Sequence, residues 1–233
     1  MNRKLETIFV AAILLSILVA QVPTTVAGTD YPTTSVTIHG NNTSVTLTLD
    51  QLKAMSYVEK TASYQNQLGF YSNEGLYRGV RISDLLAMIG GIDAGETITV
   101  WAKDGYSQYY GYENAYNTDK TIQGDMVLAY EFNGESPPTW VDGMRIAFLP
   151  DDGKYSTTDM KLTTNSSLIS SDSSAGSRWV KYVEHIATSD SGFVIPEFEA
   201  PQAALVLFIL VATLLIVHRK KTKSIPANRY ANA

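Results

Sequence analysis

Two apolar segments, one at each end of the 233-residue chain, limit the part that can fold into a domain in water. The first segment begins with Arg3 and Lys4, continues with an apolar run over residues 8–20 and reaches small residues around Ala27. This order of charge, apolar run and small residues is typical of an export signal, with a permanent N-terminal anchor as the alternative. The pattern predicts a signal peptide over residues 1–27 and an exported body.

The second segment, residues 203–217, carries no charge and is followed directly by the basic stretch "HRKKTK". It is slightly shorter than the ~20 residues of a typical transmembrane helix, and the residues that flank it extend it. A buried core helix is the alternative. Basic residues mark the cytoplasmic side of a membrane span, so the body is expected outside the cell. We predict a linker over residues 193–201, a transmembrane helix over residues 202–218 and a cytoplasmic tail over residues 219–233.

The tripeptide Pro196-Glu197-Phe198 stands just before this apolar segment. Together with the apolar stretch and the basic cluster after it, the tripeptide resembles the PEF-type C-terminal sorting signals of archaeal surface proteins. The resemblance implies a cell-surface protein of archaeal type. Further residues follow the basic cluster, which fits a plain membrane anchor equally well, and that alternative stays open.

The chain contains no cysteine, which excludes disulfides, thiolate nucleophiles and thiolate metal ligands. Its 23 acidic residues outnumber its 18 basic residues. An acidic body repels the phosphate backbone of nucleic acids, so we expect no nucleic-acid partner. The sequence shows no Gly-x-Ser-x-Gly, phosphate-loop or paired-carboxylate motif, and no two of its 3 histidines have zinc-ligand spacing.

The body consists of short alternating runs with a few short helical patterns between them. This pattern predicts one β-rich α+β domain over residues 28–192. Two of the runs meet at Gly40-Asn41-Asn42, which indicates a β-hairpin. Two more meet at Asp104-Gly105, where a type I′ turn with two positive φ angles is expected.

Two further apolar strands are closed by turn residues, the first by Asn133-Gly134 and the second by Pro150. The polar, serine-rich stretch between Pro150 and Gly176 has few apolar residues to bury, so we expect a long surface loop there. Alternation then resumes, and the residues from Arg178 to Thr188 predict the last strand.

Two short helices are expected in the first half of the body. Asp50 is the predicted N-cap of the first helix and Ser83 of the second, because both side chains can accept a hydrogen bond from a free backbone N–H. Gly90 or Gly91 supplies the left-handed residue that ends the second helix. The apolar residues of the second helix, which we expect to pack on a sheet, are Leu85, Leu86, Met88 and Ile89.

Five motifs follow one another along the body: "YRGVRISDLLAMIGG", "ITVWAKDGYS", "MVLAYEFNGE", "GMRIAFLP" and "SRWVKYVEHI". In this order and spacing they resemble the oxidoreductase molybdopterin-binding domain of the sulfite oxidase family, over residues 47–188. The resemblance implies a compact mixed α+β fold of several small sheets. It also implies a pterin-molybdenum cofactor held in the loops between the sheets.

In that family the cysteine of a Thr-Ala-Thr-x-x-Cys motif ligates molybdenum, and the matching stretch "TASYQN" has Asn66 at this position. An amide cannot replace a thiolate, which supplies negative charge and a soft donor. Two other positions also depart from the family pattern. Trp140 stands where His or Asn is usual, and Trp179 stands where the family has serine. The resemblance therefore predicts that the metal has lost its protein ligand.

The same resemblance implies three cofactor-binding residues: Arg145 facing the cofactor, and Arg178 and Lys181 near the pterin phosphate. The alternative for the two arginines is that they are strand residues paired with carboxylates. His185 is expected to be a packed or partly exposed strand residue, with a ligand role as the alternative. The tyrosines between Tyr106 and Tyr112 are expected to cover a sheet, with sugar stacking or electron relay as the alternative.

These substitutions predict a domain without ordinary molybdenum catalysis, for which no catalytic residue, no metal ligand and no bound cofactor is expected. The resemblance leaves molybdopterin open as the alternative cofactor. The expected function is a membrane-anchored extracellular binding or envelope module. Its partners would be the membrane, through the C-terminal helix, and an unidentified extracellular ligand or envelope component. Two alternatives remain: an extracytoplasmic molybdopterin-dependent oxidoreductase or electron-transfer subunit, and a β-rich surface-layer or adhesion protein.

Overall fold

The computed structural model describes residues 32–117 and 119–193. The predicted signal peptide, transmembrane helix, cytoplasmic tail and PEF-like tripeptide lie outside these residues, as does the predicted linker apart from Phe193. Within the two described ranges, no helix is both long and apolar enough to cross a membrane.

The described residues form short strands joined by shorter helices. The strands are β1 (Ser35–Gly40), β2 (Thr43–Thr48), β3 (Val58–Gln65), β4 (Tyr71–Arg81), β5 (Thr97–Ala102), β6 (Ser107–Gly111), β7 (Asp125–Phe132), β8 (Arg145–Leu149), β9 (Lys154–Tyr155) and β10 (Val183–Thr188). The α-helices are α1 (Leu49–Lys53), α2 (Ile82–Ala87), α3 (Tyr112–Ala115) and α4 (Thr157–Thr163), and the 3₁₀ helices are Ser166–Leu168 and Ala175–Arg178.

The strands form two five-stranded sheets, which we call sheet A and sheet B. Sheet A has the order β2-β1-β10-β5-β6, and in it β1 and β10 are parallel while the other neighbours are antiparallel. Sheet B has the order β8-β7-β4-β3-β9, with β3 and β9 parallel. The predicted mixed, β-rich α+β class is confirmed.

One hydrophobic core takes side chains from both sheets. On β1 the alternation places Val36 and Ile38 in the core while Thr37 and His39 stay half-exposed, as the two-residue period of a strand requires. All of β8 is buried, because both of its faces are covered. The core includes Ile38, Val100 and Ile186 of sheet A, Val80, Leu128 and Phe148 of sheet B, and Leu85 and Leu86 of α2.

The β1–β2 hairpin is confirmed, but the predicted turn between β5 and β6 is wrong in type. Gly105 has φ of 87°, whereas Asp104 does not have a positive φ. The Gly105 amide donates to the Ala102 carbonyl (3.0 Å) and the Ala102 amide donates to the Tyr106 carbonyl (2.8 Å), which makes a three-residue loop ending in a left-handed glycine. The pair of positive φ angles occurs instead at Asn133-Gly134, after β7.

Both predicted N-caps differ from the structure. Thr48, not Asp50, caps α1 through a reciprocal pair of hydrogen bonds with Gln51. The second helix, α2, begins at Ile82, so Ser83 lies inside it, and the N-cap Arg81 makes no side-chain capping bond. Gly90 and Gly91 both have positive φ as predicted. Leu85 and Leu86 are fully buried as predicted, whereas Met88 is exposed because it lies beyond the last helical turn.

The serine-rich stretch after Pro150 is more than the surface loop that was expected. It contains β9 and α4, and it places Tyr155 and Met160 in the core with no solvent exposure. Ser156 caps α4 through a reciprocal pair of bonds with Asp159, a signal that is present in the sequence. The last strand is also shorter than predicted, because it begins at Val183 and a 3₁₀ helix ends at Arg178.

Candidate functional site

Arg145 is buried at the start of β8, with 1% of its surface exposed. Its Nη1 donates to Asp142 Oδ2 (3.1 Å) and its Nη2 donates to the Trp179 carbonyl oxygen (3.3 Å). The guanidinium also lies 5.5 Å from the ring centres of Tyr64 and Trp179. Protein groups therefore surround the cation, and a carboxylate balances its charge.

Lys181 meets Arg145 at the same carboxylate. Its Nζ lies 2.7 Å from Asp142 Oδ1, and its side chain remains 38% exposed. Asp142 thus joins two of the three predicted cofactor-binding residues, and we call Asp142, Arg145 and Lys181 the Asp142 cluster. The alternative of carboxylate pairing, which the sequence left open, is found for Arg145.

Arg178 lies apart from this cluster, at the end of a 3₁₀ helix, and has no exposed surface. Its Nη1 donates to the Tyr109 carbonyl oxygen (2.6 Å), its Nη2 donates to Asn114 Oδ1 (3.1 Å), and its guanidinium stacks 4.1 Å from the Tyr110 ring centre. Burial lowers the pKa of Arg178, and nearby tyrosines act in the opposite direction. None of these contacts is a carboxylate, so the predicted alternative of an ion pair does not describe Arg178.

Asn114 continues this buried polar network. Its Nδ2 donates to Gln123 Oε1 (2.8 Å) and to the Thr163 carbonyl oxygen (2.9 Å), and Gln123 Nε2 donates back to the Asn114 carbonyl (2.8 Å). Asn114 and Gln123 are almost completely buried. A network of satisfied polar groups fixes the relative positions of its members. Arg178 therefore joins β6, α3 and the end of α4.

The two tryptophans that the resemblance predicts to depart from the family pattern, Trp140 and Trp179, are both buried. Trp179 lies against Tyr64 and Tyr77, with ring centres 5.0 and 5.2 Å apart. Trp140 stacks on Phe132 at 5.8 Å. Burial raises the pKa of Tyr77, although Arg145 acts in the opposite direction. The Trp179 indole thus fills space beside Arg145 with apolar surface, and the Trp140 indole packs in the neighbouring aromatic cluster with Tyr77 and Phe132.

Asn66, which the resemblance places at the family's metal ligand, is a turn residue between β3 and β4. Its Oδ1 accepts from the amides of Leu68 (2.9 Å) and Phe70 (3.0 Å), and its Nδ2 donates to Ser72 Oγ (3.0 Å). The amide therefore uses both of its ends to hold the turn. Leu68 and Phe70 are exposed at the tip of this hairpin.

A molybdenum cofactor needs a soft, anionic ligand for the metal and free N–H donors for the pterin phosphate. Three buried N–H groups near the site make no hydrogen bond: Arg145 Nε, Arg178 Nε and Trp179 Nε1. These N–H groups could donate hydrogen bonds to a bound acceptor. However, the site offers no thiolate for the metal, and the two guanidinium groups are enclosed by protein atoms. Within residues 32–117 and 119–193, no three His, Asp or Glu side chains are grouped to hold a metal ion. The described residues therefore do not fit the cofactor.

Two surface clefts, of about 370 and 180 Å³, lie elsewhere, and none of Asn66, Arg145, Arg178 and Lys181 lines either of them. In the smaller cleft, Asp125 Oδ1 accepts from Arg81 Nε (2.9 Å) and Lys120 Nζ (2.5 Å). Burial raises the pKa of Asp125, but these hydrogen bonds outweigh burial and leave the pKa below its usual value. Arg81, Lys120 and Asp125 in this cleft are thus largely paired with one another.

A histidine pair was missed because its members are far apart in sequence. His39 on β1 and His185 on β10 meet with 3.1 Å between Nε2 and Nδ1, and the ring of Phe193 stacks on His39 at 4.0 Å. Burial lowers the pKa of both histidines; the charge of His185 acts in the same direction on His39, whereas Glu184 acts in the opposite direction on His185. His185 is a strand residue that is partly exposed, as the sequence allowed. Only the parallel pairing of the first and last strands brings the two rings together.

The tyrosines near β6 divide into two kinds. Tyr110 is fully buried and donates to the Arg178 carbonyl oxygen (2.6 Å), whereas Tyr109 is largely exposed. Tyr106 donates to the Ser177 carbonyl oxygen (2.9 Å). These contacts attach the segment before Arg178 to sheet A.

The sequence profile of the oxidoreductase molybdopterin-binding domain family matches residues 21–139, about half of the chain. The chain belongs to this family. The matched range includes Asn66 but ends before Arg145, Arg178 and Lys181, so the assignment of these three residues to cofactor binding stays a prediction.

Among solved structures, the chain is similar to one described as the sulfane dehydrogenase SoxCD from Paracoccus pantotrophus, with 17% sequence identity and a TM-score of 0.44. The similarity covers 67% of this chain and 38% of that chain. No curated protein matches the chain.

Proposed function

We propose that this protein is a membrane-anchored, extracellular member of the oxidoreductase molybdopterin-binding domain family that works without molybdenum as a binding or envelope module. The observation that carries the proposal is Asn66. A thiolate ligand is absent from the whole chain, and the side chain at the matching position holds a β-turn. A domain of this family without the soft, anionic ligand has no protein bond to the metal.

The enclosure of the two arginines supports the same proposal. A guanidinium that binds phosphate needs free N–H groups directed at the ligand. Arg145 is engaged by Asp142 and the Trp179 carbonyl, and Arg178 by the Tyr109 carbonyl and Asn114. These arginines would have to give up buried contacts before they could bind a pterin phosphate.

A second function is favoured by one observation, the three buried N–H groups without acceptors. Such groups are costly to bury, and a bound anion would supply the acceptor. On this alternative the protein is an extracytoplasmic molybdopterin-dependent oxidoreductase or electron-transfer subunit that holds the pterin without a thiolate. A buried water molecule at each N–H would satisfy the same groups with less rearrangement, which is why we place this function second.

The proposed location rests on the two terminal segments of the sequence. If they are an export signal and a membrane anchor, protease added to intact cells should remove the body and leave a short C-terminal fragment in the membrane. A body that stays protected in intact cells, but is cleaved once the cells are opened, would contradict the proposed topology.

The absence of molybdenum is tested on the full-length protein produced in a host that makes the cofactor. We expect elemental analysis to find molybdenum well below one atom per chain, and no pterin fluorescence after denaturation. A molybdenum enzyme of the same host, purified in parallel, serves as the positive control. Stoichiometric molybdenum together with released pterin would reject the proposal in favour of the oxidoreductase.

A further inference from the structure

We propose that the free edge of sheet A, strand β2, is a self-association surface on which β2 of a second copy of this chain pairs in antiparallel orientation. An edge strand offers unpaired backbone N–H and C=O groups along one side, and a strand from another chain can complete them. Each of the two sheets ends in two edge strands, so the four edges can be compared.

Three of the four edges are covered or very short. At β8, the Ile146 amide donates to the Val180 carbonyl (2.9 Å) and the Val183 amide donates to the Met144 carbonyl (2.9 Å), so the chain itself occupies this edge. The β9 edge is two residues long. At β6, the side chain of Arg178 binds the Tyr109 carbonyl oxygen and occupies the edge.

The fourth edge, β2, is different. Within residues 32–117 and 119–193, β2 pairs with β1 and with no other strand. The register with β1 runs without interruption from the pair Gly40–Thr43 to the pair Ser35–Thr48, so no bulge turns the edge away. Thr43, Ser44, Thr46 and Thr48 are exposed. The strand is therefore regular and accessible up to Thr48, whose amide already donates to Gln51 Oε1 (2.9 Å).

The chemistry of this edge favours a second copy as the partner. No Asp, Glu, Lys or Arg occurs between Pro32 and Leu49, in a chain where acidic residues outnumber basic ones. In a two-fold symmetric contact each residue meets residues of the same strand, so a charged strand would face its own charge. An uncharged strand pairs with itself without that repulsion. Lysine and proline, which commonly block edge strands, are absent from β2.

The exposed side chains also suit such pairing. On one face of the hairpin Thr37 Oγ1 and Thr46 Oγ1 are hydrogen-bonded at 2.9 Å. Cross-strand threonine pairs stabilise antiparallel sheets, and β2 presents further threonines for a neighbouring strand. Pairing of two β2 strands would join two copies of sheet A into one continuous sheet.

This inference deepens the envelope part of the proposed function, because a symmetric contact between anchored domains holds them side by side. It does not depend on the absence of molybdenum. Metal content and association are separate measurements on the same preparation, so a failure of one proposal is visible independently of the other.

Cysteine cross-linking can test the contact, because the chain has no cysteine of its own and an introduced cysteine is its one reactive thiol. We would place a single cysteine at position 46 (Thr46→Cys) in the full-length protein and treat membranes with a short bismaleimide reagent. The control is Lys154→Cys, an exposed position on the β9 edge. We expect a cross-linked product of twice the chain mass, several-fold more abundant for Thr46→Cys than for the control.

A second variant tests the role of the uncharged strand. Ser44→Lys, combined with Thr46→Cys, adds a positive charge on the same exposed face of β2 and should return cross-linking to the level of the control. Light scattering of the full-length protein without cysteine should likewise show a dimer, and Ser44→Lys should shift it to monomer. Three results would each overturn the proposal. They are equal cross-linking at positions 46 and 154, a monomer at every concentration in light scattering, and a cross-linked product that contains a different protein.

Discussion

Arg145 and Arg178 look alike in the sequence, where both are basic residues of the resembled cofactor site, but they lie in different electrostatic surroundings. Arg145 has a carboxylate, Asp142, which is also in contact with the half-exposed Lys181. Arg178 is bound by a backbone carbonyl, an amide oxygen and a tyrosine ring. The comparison teaches that one arginine belongs to a cluster of compensating charges, while the other connects elements of the fold.

This difference has energetic consequences. Removing Arg178 leaves the Tyr109 carbonyl without this donor and leaves Asn114 Oδ1 with the Gly111 amide alone, at a site where Arg178 itself has no exposed surface. Removing Arg145 leaves Asp142 with Lys181 as a partner and with partial access to water. The cost of unpaired buried groups is high when water cannot replace the lost partner, so the two substitutions should differ.

The largest effect is expected for Arg178→Ala. We predict a loss of about 3–5 kcal/mol in the free energy of unfolding, as for the loss of two buried hydrogen bonds made by a charged group. Urea unfolding followed by tryptophan fluorescence measures it. Arg178→Lys is the matched control, because an ammonium keeps the charge but cannot serve both acceptors as a planar fork does. If Arg178→Lys were as stable as the natural protein, the two-pronged guanidinium geometry would not be what stabilises the fold at this position.

A smaller effect is expected for Arg145→Ala, about 1–3 kcal/mol, since a buried hydrogen-bonding group is lost but its carboxylate partner keeps another cation. The same unfolding assay applies. A loss equal to that of Arg178→Ala would show that the two arginines do not differ in the way that their contacts indicate.

Lys181→Ala should cost less again, at most about 1 kcal/mol, because its ion pair with Asp142 is partly exposed and is screened by solvent. Repeating the measurement at high salt should reduce the difference between Lys181→Ala and the natural protein. Salt should leave the effect of Arg178→Ala almost unchanged, because no ion pair is involved there. If salt changed the effects of Lys181→Ala and Arg178→Ala equally, the contrast between an exposed ion pair at Lys181 and uncharged partners at Arg178 would be wrong.

The smallest effect concerns pH. The pKa values of His39 and His185 are lowered in the folded state, mainly by burial. The unfolded chain therefore binds more protons as pH falls below about 6.5, and stability should be complete above that pH and decrease below it.

The pH prediction is checked by unfolding at pH 7.5 and pH 5.5, a pair of values on either side of the ordinary histidine pKa of about 6.5. The double variant His39→Gln/His185→Gln should flatten the dependence, and Arg178→Lys should keep it. An undiminished slope in the histidine variant would show that other groups are responsible.

Local signals in the sequence were sufficient for several elements. The β1–β2 hairpin, the burial of Leu85 and Leu86 and the left-handed Gly90 and Gly91 were all predicted correctly, because alternation and glycine act over a few residues. Local signals also compete, because Thr48 and Asp50 are both good N-caps. Thr48 is the cap in the structure, since the Gln51 side chain returns a hydrogen bond to its backbone and completes a capping box.

The surroundings of the candidate site were only partly accessible from the sequence. Asp142 lies three residues before Arg145, so that pair could have been anticipated. The partners of Arg178 lie 64 and 69 positions away in the chain, and no local pattern connects them. Asn66 was placed at the ligand position by resemblance, but its role as a turn residue became visible only through its contacts with Leu68 and Phe70.

The position of β10 in the middle of sheet A has a consequence for the order of folding during synthesis. β10 is the last strand of the described residues, yet it separates β1 from β5, so sheet A stays in two pieces until Val183–Thr188 has been made. Contacts between the two ends of a domain form slowly, because a long loop must close first. A growing chain of this topology therefore remains incompletely folded until almost the whole domain has left the ribosome.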